Sequence, residues 1–279
     1  MKTMQRWKWC TTAFCAGLLT LSMGCSTLKS RDEMNQGVQA YKNMHYAEAV
    51  NHFKQAVELD PNSANARSYL AMSYMVQWVP GSEAPDNVKN LQAARSTFQE
   101  VLDKDPKNSL ALASMASMAY NEATAGSPDQ KKAALQEAMK WNRRAIEVDP
   151  KDAEAYYFLG VIDWSQAYPA IMTARAGIHM AADQPGPIKD AKLRAQLKDT
   201  WGPVIEDGLA DLKKCLAIDN ENEDAMTYVN LLLRRKADLE DTPEAAKTDL
   251  AQAEDWSNKS LETRRIKATR PKKKTEEGA

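Results

Sequence analysis

Apolar residues between positions 30 and 262 recur every three or four residues, the spacing of helices that bury one face. The period breaks and restarts at four strings with a shared ending. These are AVELDPN (Ala56–Asn62), VLDKDPKN (Val101–Asn108), AIEVDPKD (Ala145–Asp152) and CLAIDNEN (Cys215–Asn222). Three contain Asp-Pro, whose ring cannot continue a helix and pre-sets the turn into the next one. The fourth has Asn220 where the others have Pro, which weakens the turn signal there. Upstream, Ala49, Phe53, Ala56 and Pro61 are spaced by four, three and five; Ala94, Phe98, Val101 and Pro106 repeat that spacing, as do Ala138, Asn142, Ala145 and Pro150. The pattern predicts an all-α chain of helical hairpins, each unable to bury its apolar face alone.

An Ala, an aromatic four residues on and a closing Pro form the second-helix half of the tetratricopeptide repeat, and the first-helix half follows each turn. Gly37, Leu70–Ala71 with Tyr74, Met115–Ala116, and Tyr156 with Leu159–Gly160 occupy its expected places. The chain resembles that family over about residues 30–262, with repeats near 30–63, 64–108, 109–152, 153–222 and 223–262. The resemblance implies a right-handed superhelix, an α-solenoid of about five hairpins spanning 31–262. Small residues let the paired helices approach, so Gly37, Ala71, Ala116 and Gly160 are expected to face Ala49, Ala94, Ala138 and Gly208. Repeats two, three and five carry about ten extra residues, centred on Trp78–Asn87, Ala123–Gln130 and Ala237–Ala246. Repeat four carries about 36, from Tyr168 to Glu206. Helical pieces at Ala170–Met180 and Ile188–Thr200, broken by Asp183–Pro187, predict two short helices lying across that repeat.

The first residues have a different character. Lys2, Arg6 and Lys8 form a basic leader, Thr11–Met23 is apolar, and LSMGCS (Leu21–Ser26) follows. This is similar to the lipobox of bacterial lipoproteins, although Ser22 stands where that family usually has Leu. The resemblance implies a signal peptide over 1–24, lipidation at Cys25 and a short tether over 25–30. An uncleaved membrane anchor is the alternative, since about 20 residues can span a bilayer. Ser26 after the lipidated Cys favours the outer membrane, on its periplasmic face. With residues 1–24 removed, 34 basic residues stand against 38 acidic ones, a net charge of −4 that argues against a nucleic-acid partner. With Cys25 acylated, Cys215 is the one free thiol left, so no internal disulfide can form. Residues 263–279 read as a basic tail, either disordered and solubilising or in contact with anionic lipid or glycan.

Little in the chain points to catalysis. His45, His52 and His179 have no metal-ligand spacing, and neither a phosphate loop nor a nucleophile elbow occurs. No enzyme activity, cofactor or metal is expected. Cys215 reads as a packed thiol. Asp163 is anomalous, because it falls where repeat two has Tyr74, a position normally packed inside. It is satisfied by a partner from the insertion, or the helix is rotated.

The family lines a concave groove with set positions of each first helix. Carried over, these include Met34, Val38 and Tyr41, then Asn65, Ser68, Met72 and Met75, then Leu110 and Tyr120. Repeat four gives Tyr157, Val161 and Trp164, and repeat five includes Arg235. Met34, Val38, Ser68 and Met72 stand where the carboxylate clamp of heat-shock-chaperone adaptors has polar residues, so that clamp is absent. A Met-rich apolar groove suits protein or peptide segments. The stretch AYYFLGVIDWSQAY (Ala155–Tyr168) is expected to split into a core face, Tyr156, Leu159 and Gly160, and a groove stripe, Tyr157, Val161 and Trp164. Either the insertion or a partner must cover that stripe. The whole chain looks like the tetratricopeptide lipoproteins of bacterial envelopes, acidobacterial members especially, and related architectures act as scaffolds in outer-membrane and type IV pilus assembly. The resemblance implies a membrane-tethered adaptor, with a small-ligand pocket near Trp164 roofed by residues 168–206 as the alternative.

Overall fold

A computed structural model describes residues 26–270. Among these residues the chain is α-helical throughout, with no strands. The helices are α1 (26–42), α2 (Tyr46–Leu59), α3 (Ala64–Met75), α4 (Pro85–Lys104), α5 (Ser109–Ala125), α6 (Pro128–Val148), α7 (Ala153–Gly177), α8 (Ala191–Ile218), α9 (Glu223–Asp238) and α10 (Pro243–Thr269). They form two compact units, one ending at Gly126 and the other starting at Ser127. In the first, α3 packs on α2 and α4; in the second, α8 packs on α7 and α9, and α10 on α9.

The four recurring strings build one turn four times. At its start Asp60, Asp105, Asp149 or Asp219 accepts from the backbone N–H two residues on, at 2.9–3.2 Å. At its end Ser63, Asn108, Asp152 or Asn222 caps the next helix by accepting from the N–H three residues on, at 2.8–3.3 Å. Each cap satisfies a donor that the first helical turn leaves orphaned. Asn220 does not weaken the fourth turn, because the Asp ahead of it carries the geometry that the Pro reinforces elsewhere.

A Cβ added at Gly37 would come within 2.6 Å of the Phe53 ring, and one at Gly160 within 2.4 Å of Leu212. Large side chains fill the space over these glycines, a tighter fit than small against small. Gly208 instead faces Leu232 and Asp163.

Residues 168–206 differ more. They are not two short helices across the repeat. Residues up to Gly177 prolong α7 through Pro169, and those from Ala191 begin α8, which runs through Pro203. Both prolines sit inside helices that the long α7–α8 contact holds together. Residues 178–190 form the turn, and it docks on the end of α9. Arg175, 1% exposed, forms an ion pair with Asp238, also 1% exposed, and donates through Nη2 to the Ala181 and Gln184 carbonyls at 2.7 and 2.5 Å. Ile188 N donates to the Asp238 carbonyl at 2.9 Å. Gly186 is pressed so closely there that a Cβ would lie 2.7 Å from the Ala237 carbonyl oxygen.

The two ends are also more ordered than the sequence pattern predicts. Residues 26–30 are the start of α1, and the buried Ser30 hydroxyl donates to the Ala56 carbonyl at 2.9 Å. α10 continues past residue 262 to Thr269 because its basic residues find acids: Arg264 pairs with Asp224 at 2.9 Å, and Lys267 and Arg270 pair with Glu223 and Glu221. Cys25 and Lys272–Lys274 lie outside the described residues.

Candidate functional site

Each unit presents one face built from the residues that the repeat pattern singles out. In the first, α1 contributes Met34, Val38 and Tyr41, all half-buried against a cluster of Ala40, Ala49, Val50, Phe53 and Leu70. Tyr41 meets Tyr46 and Tyr69 edge-on at 5.3 and 6.4 Å, and Tyr69 stacks on Phe53 at 5.4 Å. Burial, and then the two neighbouring tyrosines, push the Tyr41 hydroxyl above its usual range. These three residues serve the core as much as any outward face.

The adjacent part of the first unit is open. Asn65, Ser68, Tyr69 and Met72 of α3, with Asn108, Ser109 and Leu110 at the start of α5, line a surface depression of about 440 Å³. Four of the carried-over groove positions, Asn65, Ser68, Met72 and Leu110, thus meet in one place. Asn108 is fixed there by capping α5. Leu110 is 45% exposed. Met75 and Tyr120 are half-buried and lie outside the depression. Tyr69, Asn108 and Ser109 were not among the expected residues; their signal is position, beside a groove position or at the cap that starts the next first helix.

In the second unit the expected stripe is divided. Val161 is 2% exposed and belongs to the core, so it does not line a groove. Tyr157 and Trp164 are half-buried, and Tyr228 of α9 meets both edge-on at 5.8 and 5.4 Å. Tyr168 stacks on Trp164 at 4.8 Å, leaning one turn along α7. The cover is therefore mainly the next hairpin, and the long insertion contributes Tyr168 rather than a roof. Tyr168 is the outermost ring, 37% exposed, with the Arg235 guanidinium 5.8 Å from its centre. Arg235 is held by Asp238 at 2.9 Å, and burial lowers its pKa. Tyr228 is the residue that the repeat positions miss here.

Asp163 is buried, 3% exposed, so α7 is not rotated to expose it. Cys215 is fully buried in the α7–α9 core, and burial, then Asp219, pushes its thiol up to about 11. Such a thiol is a packing group. His52 Nδ1 lies 2.7 Å from Glu33 Oε2, which joins α2 to α1. Among the described residues, no group of three or more His, Cys, Asp or Glu is placed to hold a metal, and no helix is long and apolar enough to cross a membrane.

Residues 34–109, which include the lining of the depression except Leu110, match the family described as Tetratricopeptide repeat. Among solved structures, MamA from Desulfovibrio magneticus RS-1, from residue 41 to its end, is similar at 16% identity and a TM-score of 0.50, over 86% of this chain and 98% of that one. A double mutant of MamA RS-1 is similar at 15% identity and 0.50, over 87% and 98%. YrrB, a TPR protein with an unusual peptide-binding site, is similar at 16% identity and 0.43, over 85% and 90%. No curated protein matches the chain in sequence. Residues 34–109 thus match the tetratricopeptide repeat, and the described residues share the all-α fold of the MamA structures.

Proposed function

We propose that this chain is a non-enzymatic adaptor of the bacterial cell envelope that binds protein segments on the face presented by its first helices. The observation that carries the reading is the α3–α5 depression, where Asn65, Ser68, Met72 and Leu110 from two successive repeats converge. Its mixture of a flexible thioether, an exposed Leu and short polar groups suits an extended or helical segment, with apolar contacts for affinity and amides for register. In the second unit the aromatic rings are largely spent on one another, so its outward contribution is the Tyr168–Arg235 edge.

Tethering belongs to the same proposal. It rests on the basic leader, the apolar run and Gly24–Cys25, with Ser26 favouring the outer membrane. Labelling with a radioactive fatty acid in the native host should mark the wild type and fail for Cys25→Ser. Equal labelling of both would remove the tether. For binding, a photo-crosslinking residue placed at Met72 or Leu110 should capture protein, whereas one at exposed Gln99 of α4 should not. Equal capture at all three positions would sink the assignment of the face.

A further inference from the structure

The second unit has a small depression, between α8 and the end of α9, whose charges do not balance. Gly202 of α8 leaves the space: a Cβ added there would meet no neighbour closer than Lys198 Cγ, at 3.8 Å. The depression holds about 270 Å³, and Pro203, Ile205 and Leu239 form its apolar wall. That is below the size of a pocket for a whole small-molecule ligand and suits one inserted side chain. Its rim carries more acid than base. Lys236 Nζ lies 3.0 Å from Glu206 Oε1 and 3.9 Å from Oδ1 of Asp249 on α10. Asp249 is 6% exposed, and its Oδ2 is buried with no donor. Glu240, which also lines the depression, is in no ion pair among the described residues. Lys198 is taken by Asp241 at 2.6 Å, with Arg194 4.0 Å from the same carboxylate. Glu206, Glu240, Asp241 and Asp249 thus share Lys198, Lys236 and Arg194, which leaves one carboxylate without a cation.

We propose that this depression receives an arginine side chain from a partner protein. The aliphatic stem lies along Pro203, Ile205 and Leu239, and the guanidinium supplies the missing cation to Glu240 and Glu206. A planar fork serves two carboxylates at once, which the point charge of a lysine does less well. With Glu206 engaged by the guanidinium, Lys236 is released toward Asp249, whose second oxygen then gains a donor. The site lies in the second unit and depends on nothing claimed for the α3–α5 face.

Titration of the full chain with N-acetylarginine amide, followed by NMR, tests it. The amide signals of Gly202 and Glu240 should shift saturably. N-acetylcitrulline amide, similar in shape but uncharged, should bind about tenfold or more weakly, and N-acetyllysine amide should also bind more weakly than the arginine. Glu240→Gln removes the unpaired charge, and Gly202→Leu fills the space without touching a charge. Each should weaken the arginine about tenfold, in variants that melt as the wild type does. The citrulline comparison is made on the wild type and stands whether or not either variant folds. No saturable shift, equal binding of citrulline or lysine, or arginine binding unchanged in both folded variants overturns the proposal.

Discussion

Replacing Asp238 by Ala should be among the most damaging single changes in the second unit, for a reason visible around Arg175. The two side chains are each 1% exposed and form an ion pair that fastens the 178–190 turn to the end of α9. Asp238→Ala leaves the Arg175 guanidinium buried with only the Ala181, Ala182 and Gln184 carbonyls, and frees Arg235 from its 2.9 Å partner. Removing one member of a buried pair costs about 3–5 kcal/mol, because the remaining charge stays desolvated. Urea denaturation at pH 7, followed by far-UV circular dichroism and tryptophan fluorescence, reads that loss. Arg175→Met should cost a similar amount. The double variant should cost less than the sum by about 1.5 kcal/mol or more, since the second change removes a charge already stranded. The penalty should persist in 0.5 M salt, which would erase an exposed pair such as Lys198–Asp241. A loss under about 1 kcal/mol, or an additive cycle, would refute the lock.

Two further expectations come from the same unit. Gly160→Ala forces a Cβ to 2.4 Å from Leu212 and should destabilise by about 1–3 kcal/mol, whereas Gly177→Ala meets nothing within 4 Å and should be neutral or stabilising by up to about 1 kcal/mol; thermal melts of the pair compare them. A carboxyl raised from 3.8 to about 7 costs up to about 4 kcal/mol at pH 8. Asp163's contribution to stability is whole below 3.8 and is lost as the pH rises to about 7, so denaturation midpoints should fall over that range in the wild type and stay flatter in Asp163→Asn.

What could be read from the sequence was local. Asp60, Asp105, Asp149 and Asp219, each followed three residues later by a capping Ser, Asn or Asp, mark the turns because both partners of every hydrogen bond lie within a few residues. Asn65, Ser68, Met72 and Leu110 were expected only through the resemblance to the repeat family, whose first-helix positions they occupy, and they line one depression. Contacts over distance were not. Arg175 and Asp238 are 63 residues apart, and Arg175 follows Ile171 on what reads as an apolar face, with no sign of its partner. Pro169 and Pro203 argue for broken helices by their local chemistry, and packing of α7 along α8 overrides them. The cover over Trp164 is Tyr228, from the next hairpin, where spacing within α7 carries no information.

The proposed binding face is tested most directly by Leu110→Asp. Leu110 is 45% exposed and stands in the first turn of α5, where a negative charge favours the helix, so the fold should melt as the wild type does. Burying a Leu at an interface contributes about 1.5–3 kcal/mol, so the affinity for the segment crosslinked at Met72 should fall at least tenfold. An unchanged affinity in a variant with an unchanged melting curve would contradict the account.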